Sequence, residues 1–159
     1  MADKPRAPNA ALRLTRHFHV PRERLFAAWT DPEALKRWFS PSGDYSTPSA
    51  AVDLCVGGRY RIEMKAADGS LYTATGLYHE IRPPERLVFT WAWEGKGHGG
   101  HGLTEFYDTL VTLEFRTVSG GTELTLLHDR FPNAEERDRH RTGWTGCLDH
   151  LARLLGEQV

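Results

Sequence analysis

Residues 59–65 read Arg-Tyr-Arg-Ile-Glu-Met-Lys, a strict alternation of charged and hydrophobic side chains. Because successive side chains of a β-strand point to opposite faces of a sheet, this pattern predicts a strand with one solvent-exposed face and one buried face. The buried face carries Tyr60, Ile62 and Met64. This strand is the reference from which the neighbouring segments are interpreted.

Turn residues on both sides connect this strand to further predicted strands. Gly57-Gly58 precedes it and Asp68-Gly69 follows it, and short connections of this kind join antiparallel neighbours. Alternation and turn signals predict strands over residues 12–20, 51–56, 59–65, 71–81, 86–94, 109–116 and 122–128. Together they indicate an antiparallel meander.

Three helices are predicted between and after these strands. Pro21 suits the first position of one helix, and Asp31 suits the N-cap of a second, because an Asp side chain accepts backbone N–H groups at a helix start. Asn133 is the predicted N-cap of a long amphipathic helix that ends near Leu155. This element order predicts an α+β fold, with a curved antiparallel sheet around the C-terminal helix and two short helices after the first strand.

Length, charge and cysteine content restrict the class of protein. The chain has 159 residues, 40% of them hydrophobic, and a net charge of -1, which fits one domain over residues 11–159 after a disordered lead-in at residues 1–10. A near-neutral charge argues against a nucleic-acid partner. Neither a secretion signal nor the ~18 apolar residues of a membrane span is recognised, so we expect a cytoplasmic protein without membrane insertion. Cys55 and Cys147 are predicted to be buried thiols.

A curved sheet around a helix can leave a space between them, and two features predict such a space here. The predicted inner faces carry more large aromatic side chains than a tight core needs. Gly143 and Gly146 lie three positions apart inside the last helix, where each costs about 1 kcal/mol relative to Ala. Either the close approach of another backbone segment or room for a ligand would explain these glycines.

Several motifs along the chain resemble one known family. They are Val20–Glu33 (VPRERLFAAWTDPE), Val56–Tyr60 (VGGRY), Pro83–Trp91 (PPERLVFTW), Thr122–His128 and Gly143-Trp144. In this order they look like the homologues of the activator of heat-shock protein 90 ATPase, within the START, polyketide-cyclase and birch-pollen-allergen (SRPBCC) superfamily. The resemblance spans about residues 12–155 and implies a helix-grip (START-like) fold that encloses a cavity for lipids or other apolar small molecules. No counterpart of the chaperone-binding N-terminal domain of the eukaryotic activator is recognised, so the family name is not taken as the function.

The inward-facing residues near the last helix are the predicted cavity lining. They are Trp38, Tyr60, Ile62, Met64, Phe89, Trp91, Trp93, Leu113, Phe115, Leu126, His128, His140, Trp144 and Leu148. Tyr60, Trp91, Trp93 and Trp144 can each be ordinary core, or they can orient a ligand through the Tyr hydroxyl or an indole N–H group. His128 can bond a ligand, act as an acid or base, or be a core histidine bonded to the helix backbone. His140 can reach the cavity mouth or be a half-exposed helix residue.

The sequence offers one metal-like cluster, His98, His101, Glu105 and Asp108. His98 and His101 lie within the glycine-rich loop Gly95–Gly102, and the two acidic residues follow it. Metal sites, in contrast, hold their ligands on rigid elements. We therefore predict no metal and no cofactor, and we interpret the loop as a lid over the cavity.

The common enzyme motifs are absent from the sequence: no nucleophile elbow, phosphate-binding loop, dinucleotide fingerprint or zinc-ligand spacing is recognised. Among the candidate carboxylates Asp53, Glu63 and Glu80, Glu63 lies on the charged face of its strand, and the facing of Asp53 stays open. No catalytic residue is named, and the chain is not expected to be an enzyme.

Three functions are consistent with the sequence. The first is binding of an apolar or amphipathic small molecule between the sheet and the last helix. The second is a protein-interaction role, either co-chaperone-like or in a homodimer. The third is cyclase- or hydrolase-like catalysis in the same cavity, with His128 and a tyrosine as acid and base.

Overall fold

The computed structural model describes residues 11–94 and 109–156. Their secondary structure elements are β1 (Ala11–Phe18), α1 (Arg22–Thr30), α2 (Pro32–Trp38), β2 (Ser46–Val52), β3 (Arg59–Lys65), β4 (Leu71–Arg82), β5 (Arg86–Trp93), β6 (Thr109–Val118), β7 (Gly121–Asp129) and α3 (Ala134–Leu154). The strands form one curved antiparallel sheet in the order β1-β7-β6-β5-β4-β3-β2. The predicted α+β helix-grip fold is confirmed.

The sheet separates a polar outer face from a hydrophobic inner face, as the alternation in β3 predicts. Tyr60, Ile62 and Met64 are buried, whereas Arg59, Arg61 and Lys65 are exposed. The inner side chains of β6 and β7 are likewise buried. The inner face is therefore continuous from one strand to the next, and it is this face that α3 covers.

Capping residues define the starts of two helices, as predicted. The Asp31 side chain accepts a hydrogen bond from the backbone N–H of Glu33 at 3.0 Å at the start of α2. The Asn133 side chain accepts one from the backbone N–H of Glu136 at 2.8 Å at the start of α3. Pro21 is the residue before α1 rather than its first residue. These caps fix where α2 and α3 begin.

The structure corrects two sequence predictions at one edge of the sheet. Strand β2 runs from Ser46 to Val52 rather than over the predicted residues 51–56. Pro48 is compatible with this position because β2 is an edge strand, whose N–H groups need not all be paired. The prediction of two buried thiols is wrong for Cys55, which lies in the exposed turn after β2, and right for Cys147 on α3.

In residues 11–94 and 109–156, none of the helices has both the length and the apolar character needed to cross a membrane. The predicted lead-in at residues 1–10, the metal-like cluster and the loop Gly95–Gly102 lie outside the described residues.

Candidate functional site

A cavity of about 420 Å³ lies between the sheet and the N-terminal part of α3. Its walls come from strands β3, β4 and β5, from α3, and from the α2–β2 loop, which comprises residues 39–45. The lining residues are Phe39, Pro41, Ser42, Tyr45, Met64, Tyr72, Trp91, Trp93, Glu136, Arg139, His140, Thr142, Gly143, Trp144 and Cys147. The volume lies within the range of about 300–1,000 Å³ that is typical of small-molecule sites.

The structure brings five of the predicted lining residues into this wall: Met64, Trp91, Trp93, His140 and Trp144. His140 is half-buried, so it both reaches the cavity and stays partly exposed on α3. Three others, Tyr60, Ile62 and Phe89, border a separate void of about 20 Å³ with room for no more than about one water molecule.

The remaining predicted lining residues do not border the cavity and form core. They are Trp38, Leu113, Phe115, Leu126, His128 and Leu148. Leu113 and Leu126 are completely buried on β6 and β7, and the Trp38 indole N–H donates to the Ala28 carbonyl at 2.9 Å between the two short helices. Facing inward is therefore not sufficient to reach the cavity, because the sheet and helix separate only near β3, β4 and β5.

Sequence reasoning missed two groups of lining residues. Glu136, Gly143 and Cys147 lie on α3 four residues before, three after and seven after His140, so the helical period that predicts His140 could have identified them. Residues of the α2–β2 loop, including Pro41 and Tyr45, carry no periodic signal. Only the folded position of that loop brings them to the cavity.

His128 lies in the middle of a series of hydrogen bonds beside the cavity, in which both of its ring nitrogens have a partner. The Trp144 indole N–H donates to His128 Nδ1 at 2.9 Å, and His128 Nε2 is 2.6 Å from Thr109 Oγ1. The Thr109 hydroxyl donates to the Trp91 carbonyl at 2.9 Å. Because Nδ1 accepts and the hydroxyl proton is already used, Nε2 must carry the imidazole proton and donate it to Thr109. Both ring nitrogens are occupied, which leaves His128 neutral and unavailable as an acid or base.

His140 makes a similar pair with a second tryptophan. The Trp93 indole N–H donates to His140 Nε2 at 3.2 Å, and His140 Nδ1 is 2.8 Å from the Glu136 carbonyl oxygen, to which it can donate. This assigns the proton to Nδ1 in the neutral ring. The ring centres of His128 and His140 are 5.3 Å apart. Each histidine therefore links a tryptophan of the cavity wall to a neighbouring residue: His128 links Trp144 to Thr109, and His140 links Trp93 to the Glu136 carbonyl.

The polar atoms of most of the predicted aromatic residues are used inside the protein rather than presented to a ligand. The Tyr60 hydroxyl donates to the Thr90 carbonyl at 2.6 Å, and the indole N–H groups of Trp93 and Trp144 donate to histidines. The indole nitrogen of Trp91 is buried without an acceptor among the described residues. The tryptophans therefore offer the cavity mainly ring surface.

The stability of the protein is expected to fall in acid partly through His128. Burial, and secondarily the nearby His140, hold the pKa of His128 well below its usual value of 6.5. Below about pH 6.5 the unfolded chain binds a proton at this residue that the folded protein does not bind. The free energy of unfolding should therefore decrease with falling pH by at most about 1.4 kcal/mol per pH unit from this residue. Urea denaturation between pH 7.5 and 5.5 measures the slope.

The His128→Leu variant provides the control for this pH prediction, because carboxylates also destabilise proteins in acid. Asp68, Glu80 and Asp138 have pKa values lowered by hydrogen bonds from Ser70, Arg86 and Arg137 respectively, so the stability that they contribute is lost only below about pH 4.5, and it is lost alike in both proteins. The variant should show a smaller decrease between pH 6.5 and 5.5 than the wild type. Equal slopes would mean that His128 titrates alike in the folded and unfolded chains.

Different features of the structure explain why glycine occurs at the two positions Gly143 and Gly146 of α3. A Cβ atom at Gly146 would lie 1.8 Å from the Pro41 carbonyl oxygen, so the α2–β2 loop passes directly over the helix backbone there. At Gly143 the nearest atom would be Pro41 Cβ at 3.9 Å, an ordinary contact, and Gly143 lines the cavity. His150 also contacts the loop, with its Nδ1 atom 3.0 Å from both the hydroxyl and the carbonyl oxygen of Ser40. Helix α3 thus holds the loop that forms one wall.

The remaining candidate residues that the structure describes do not assemble an acid–base or metal site. Asp53 lies after β2 and is exposed, and the Glu80 carboxylate is paired with Arg86 at 3.0 Å. Within the part of the chain that the structure describes, no group of three His, Cys, Asp or Glu side chains is arranged to hold a metal ion. Burial raises the pKa of the Cys147 thiol, so this cavity residue remains protonated at neutral pH.

Comparison with known proteins gives one family match and many similar structures. The model of the Activator of Hsp90 ATPase homolog 1-like protein family matches residues 19–156. No match was found among curated proteins.

Two of the similar structures are bacterial proteins of nearly the same length. A crystal structure of a protein from Chromobacterium violaceum is 29% identical, with a TM-score of 0.82 over 96% of this chain and 100% of that one. The crystal structure of the AHSA1 protein from Silicibacter pomeroyi is 28% identical, with a TM-score of 0.79 over 92% of this chain and 97% of that one.

Proposed function

Since this chain belongs to the family of Activator of Hsp90 ATPase homolog 1-like proteins, we propose that it binds an apolar or amphipathic small molecule in the cavity between the sheet and α3. The family supports a ligand-binding or co-chaperone-like module in general. The observation that carries the more specific proposal is the cavity of about 420 Å³, whose wall is largely aromatic. Transfer of apolar ligand surface from water into such a space is favourable.

The positions of the polar groups support an amphipathic occupant. Among the wall residues, Ser42, Glu136, Arg139 and Thr142 have polar or charged side chains that come from the loop and from α3, and Tyr45 and Tyr72 add hydroxyl groups from the loop and from β4. The strands contribute Met64 and aromatic rings. A ligand with an apolar body toward the sheet and a polar end toward α3 would match this division.

A side chain placed at Gly143 should block the cavity and provides the test of the proposal. Gly143 lines the space, and among residues 11–94 and 109–156 only Pro41 Cβ lies near the position of a Cβ atom, so Gly143→Leu should place a branched side chain in the cavity. We expect the neutral fluorophore N-phenyl-1-naphthylamine to bind the wild type saturably at one site. The variant should bind it at least about tenfold more weakly, a loss of about 1.4 kcal/mol. Fluorescence titration measures both affinities, and circular dichroism checks the fold.

Gly143→Ala is the matched control, because a single methyl group there makes only an ordinary contact. It should bind the fluorophore within about twofold of the wild type. Non-saturable binding, or equal binding by a folded Gly143→Leu variant, would contradict the proposal. Native mass spectrometry of the purified protein adds a second measurement, because a ligand that copurifies with the wild type should be missing from Gly143→Leu.

The co-chaperone-like and homodimer hypotheses have less support from the described residues. In residues 11–94 and 109–156 the large hydrophobic side chains that are exposed are Leu54, Val56 and Leu71. Leu54 and Val56 lie at the turn before β3, and Leu71 follows the turn after it, so the length of a seven-residue strand, roughly 20 Å, separates them. They do not form the contiguous patch that an interface requires.

A further inference from the structure

Two buried tryptophans, Trp29 of α1 and Trp91 of β5, have indole N–H groups with no acceptor among the described residues. Their side chains are buried from bulk solvent, so outside water does not serve these groups either. The indole N–H groups of Trp38, Trp93 and Trp144, in contrast, all donate to acceptors within the protein. Because an unpaired buried donor is destabilising, two of them in one core need a physical explanation.

Both tryptophans border the void of about 20 Å³ described above. Their ring centres lie 5.8 and 5.0 Å from that of Trp144, so the two residues belong to one aromatic cluster. A buried water molecule needs about 10–15 Å³ of space and two to four polar partners. The void has this space, and Trp29 and Trp91 each bring a hydrogen-bond donor to a border that is otherwise mainly apolar.

Tyr78 of β4 borders the same void and can act as a third partner. Burial raises the pKa of the Tyr78 hydroxyl, so this group stays protonated at neutral pH. The oxygen of a protonated phenol can still accept a hydrogen bond. A water molecule both accepts and donates hydrogen bonds, so one molecule can serve two N–H donors and one hydroxyl oxygen, and three bonds are the usual number for a buried water.

We propose that this void is a binding site for one internal water molecule, which accepts hydrogen bonds from the indole N–H groups of Trp29 and Trp91 and donates one to the Tyr78 hydroxyl. The water joins α1 to strands β4 and β5. Phe39 and Trp91 border both the void and the larger cavity, so the water lies behind two residues of the cavity wall and supports them. The site needs no ligand in the larger cavity.

Nuclear Overhauser spectroscopy between water and the indole protons of the full chain, without added ligand, tests this site. We expect cross-peaks with water at the Hε1 protons of Trp29 and Trp91. These peaks should change sign between laboratory-frame and rotating-frame spectra, which identifies a water held inside the protein and excludes proton exchange. Trp38 is the internal control, because its buried N–H donates to the Ala28 carbonyl at 2.9 Å and should show no such peak.

Two tyrosines at the void supply a variant and its matched control. Tyr78→Phe removes one partner of the water, so the cross-peaks at Trp29 and Trp91 should fall at least about twofold. Tyr60→Phe removes a hydroxyl that donates to the Thr90 carbonyl at 2.6 Å, and it should leave both cross-peaks in place. Circular dichroism checks that both variants are folded.

The wild-type spectra alone can overturn the inference, even if a variant fails to fold. Absence of the water cross-peak at Trp29, at Trp91 or at both would do so. If Trp91 alone shows the peak and saturation with N-phenyl-1-naphthylamine removes it, its N–H group faces the larger cavity instead. Unchanged cross-peaks in a folded Tyr78→Phe variant would also contradict the three-bond site. Since the first test uses no ligand, its result is independent of the proposed function.

Discussion

Replacing His128 with Ala is expected to lower the free energy of unfolding by about 4 kcal/mol. The imidazole is completely buried, so its removal leaves a space that the surrounding β-sheet and α3 cannot readily fill. It also leaves the indole N–H of Trp144 without the acceptor that it has at 2.9 Å. Urea denaturation at pH 7.5, where the folded and unfolded histidines are both mainly neutral, measures the loss.

A double-mutant cycle separates the lost hydrogen bond from the lost volume. His128→Leu fills much of the space but leaves the Trp144 N–H unpaired in an apolar environment, and Trp144→Phe removes that donor. Because an unpaired buried group costs more than the absence of both partners, the double variant should lose less stability than the two single losses added together. Additive losses would mean that the 2.9 Å contact between the rings contributes nothing beyond packing.

The fold was predictable because its signals are local. The alternation of Tyr60, Ile62 and Met64 with charged residues defines the inner face of β3, and Asp31 and Asn133 provide the caps that start α2 and α3. Strand β2 lies at Ser46–Val52 and not at the predicted residues 51–56, because its sequence, STPSAAV, has no alternation of polar and hydrophobic side chains. Its pairing with β3 determines where it lies. Local sequence patterns thus predict strand β3 and the starts of α2 and α3, but they do not predict the edge strand β2.

Only part of the cavity wall was predictable. An inward-facing side chain lines the cavity only where the sheet and α3 lie apart, and elsewhere it packs into the core. Trp91 and Leu126 both lie on the inner face, but only Trp91 borders the cavity. Trp91 lies on β5, where the sheet and α3 separate, and there the α2–β2 loop, which reaches α3 at Gly146, brings Pro41 and Tyr45 into the wall. No period in the sequence encodes that contact, although the two glycines in α3 did indicate that some segment or ligand approaches the helix.

The contact of the α2–β2 loop with the backbone of α3 leads to the second prediction of a large change in stability. Gly146→Ala should lower the free energy of unfolding by about 2 kcal/mol, although Ala is otherwise the better helix residue. The added methyl group would lie 1.8 Å from the Pro41 carbonyl oxygen, and a backbone atom cannot rotate away as a side chain can. The loop must therefore lift from α3, which moves Pro41 and Phe39 in the cavity wall. Urea denaturation and titration with N-phenyl-1-naphthylamine should show lower stability and weaker binding together.

Gly143→Ala tests whether the effect belongs to the loop rather than to glycine in this helix. The two sites are only three positions apart, yet at Gly143 the new methyl group would contact Pro41 Cβ at 3.9 Å. The helical preference of Ala should then prevail, so the free energy of unfolding should increase by up to about 1 kcal/mol. Two changes of the same chemistry, one turn apart, should therefore move stability in opposite directions. Equal gains at both sites would mean that the α2–β2 loop does not rest on the backbone of α3, and the wall that this loop gives the cavity would no longer be supported.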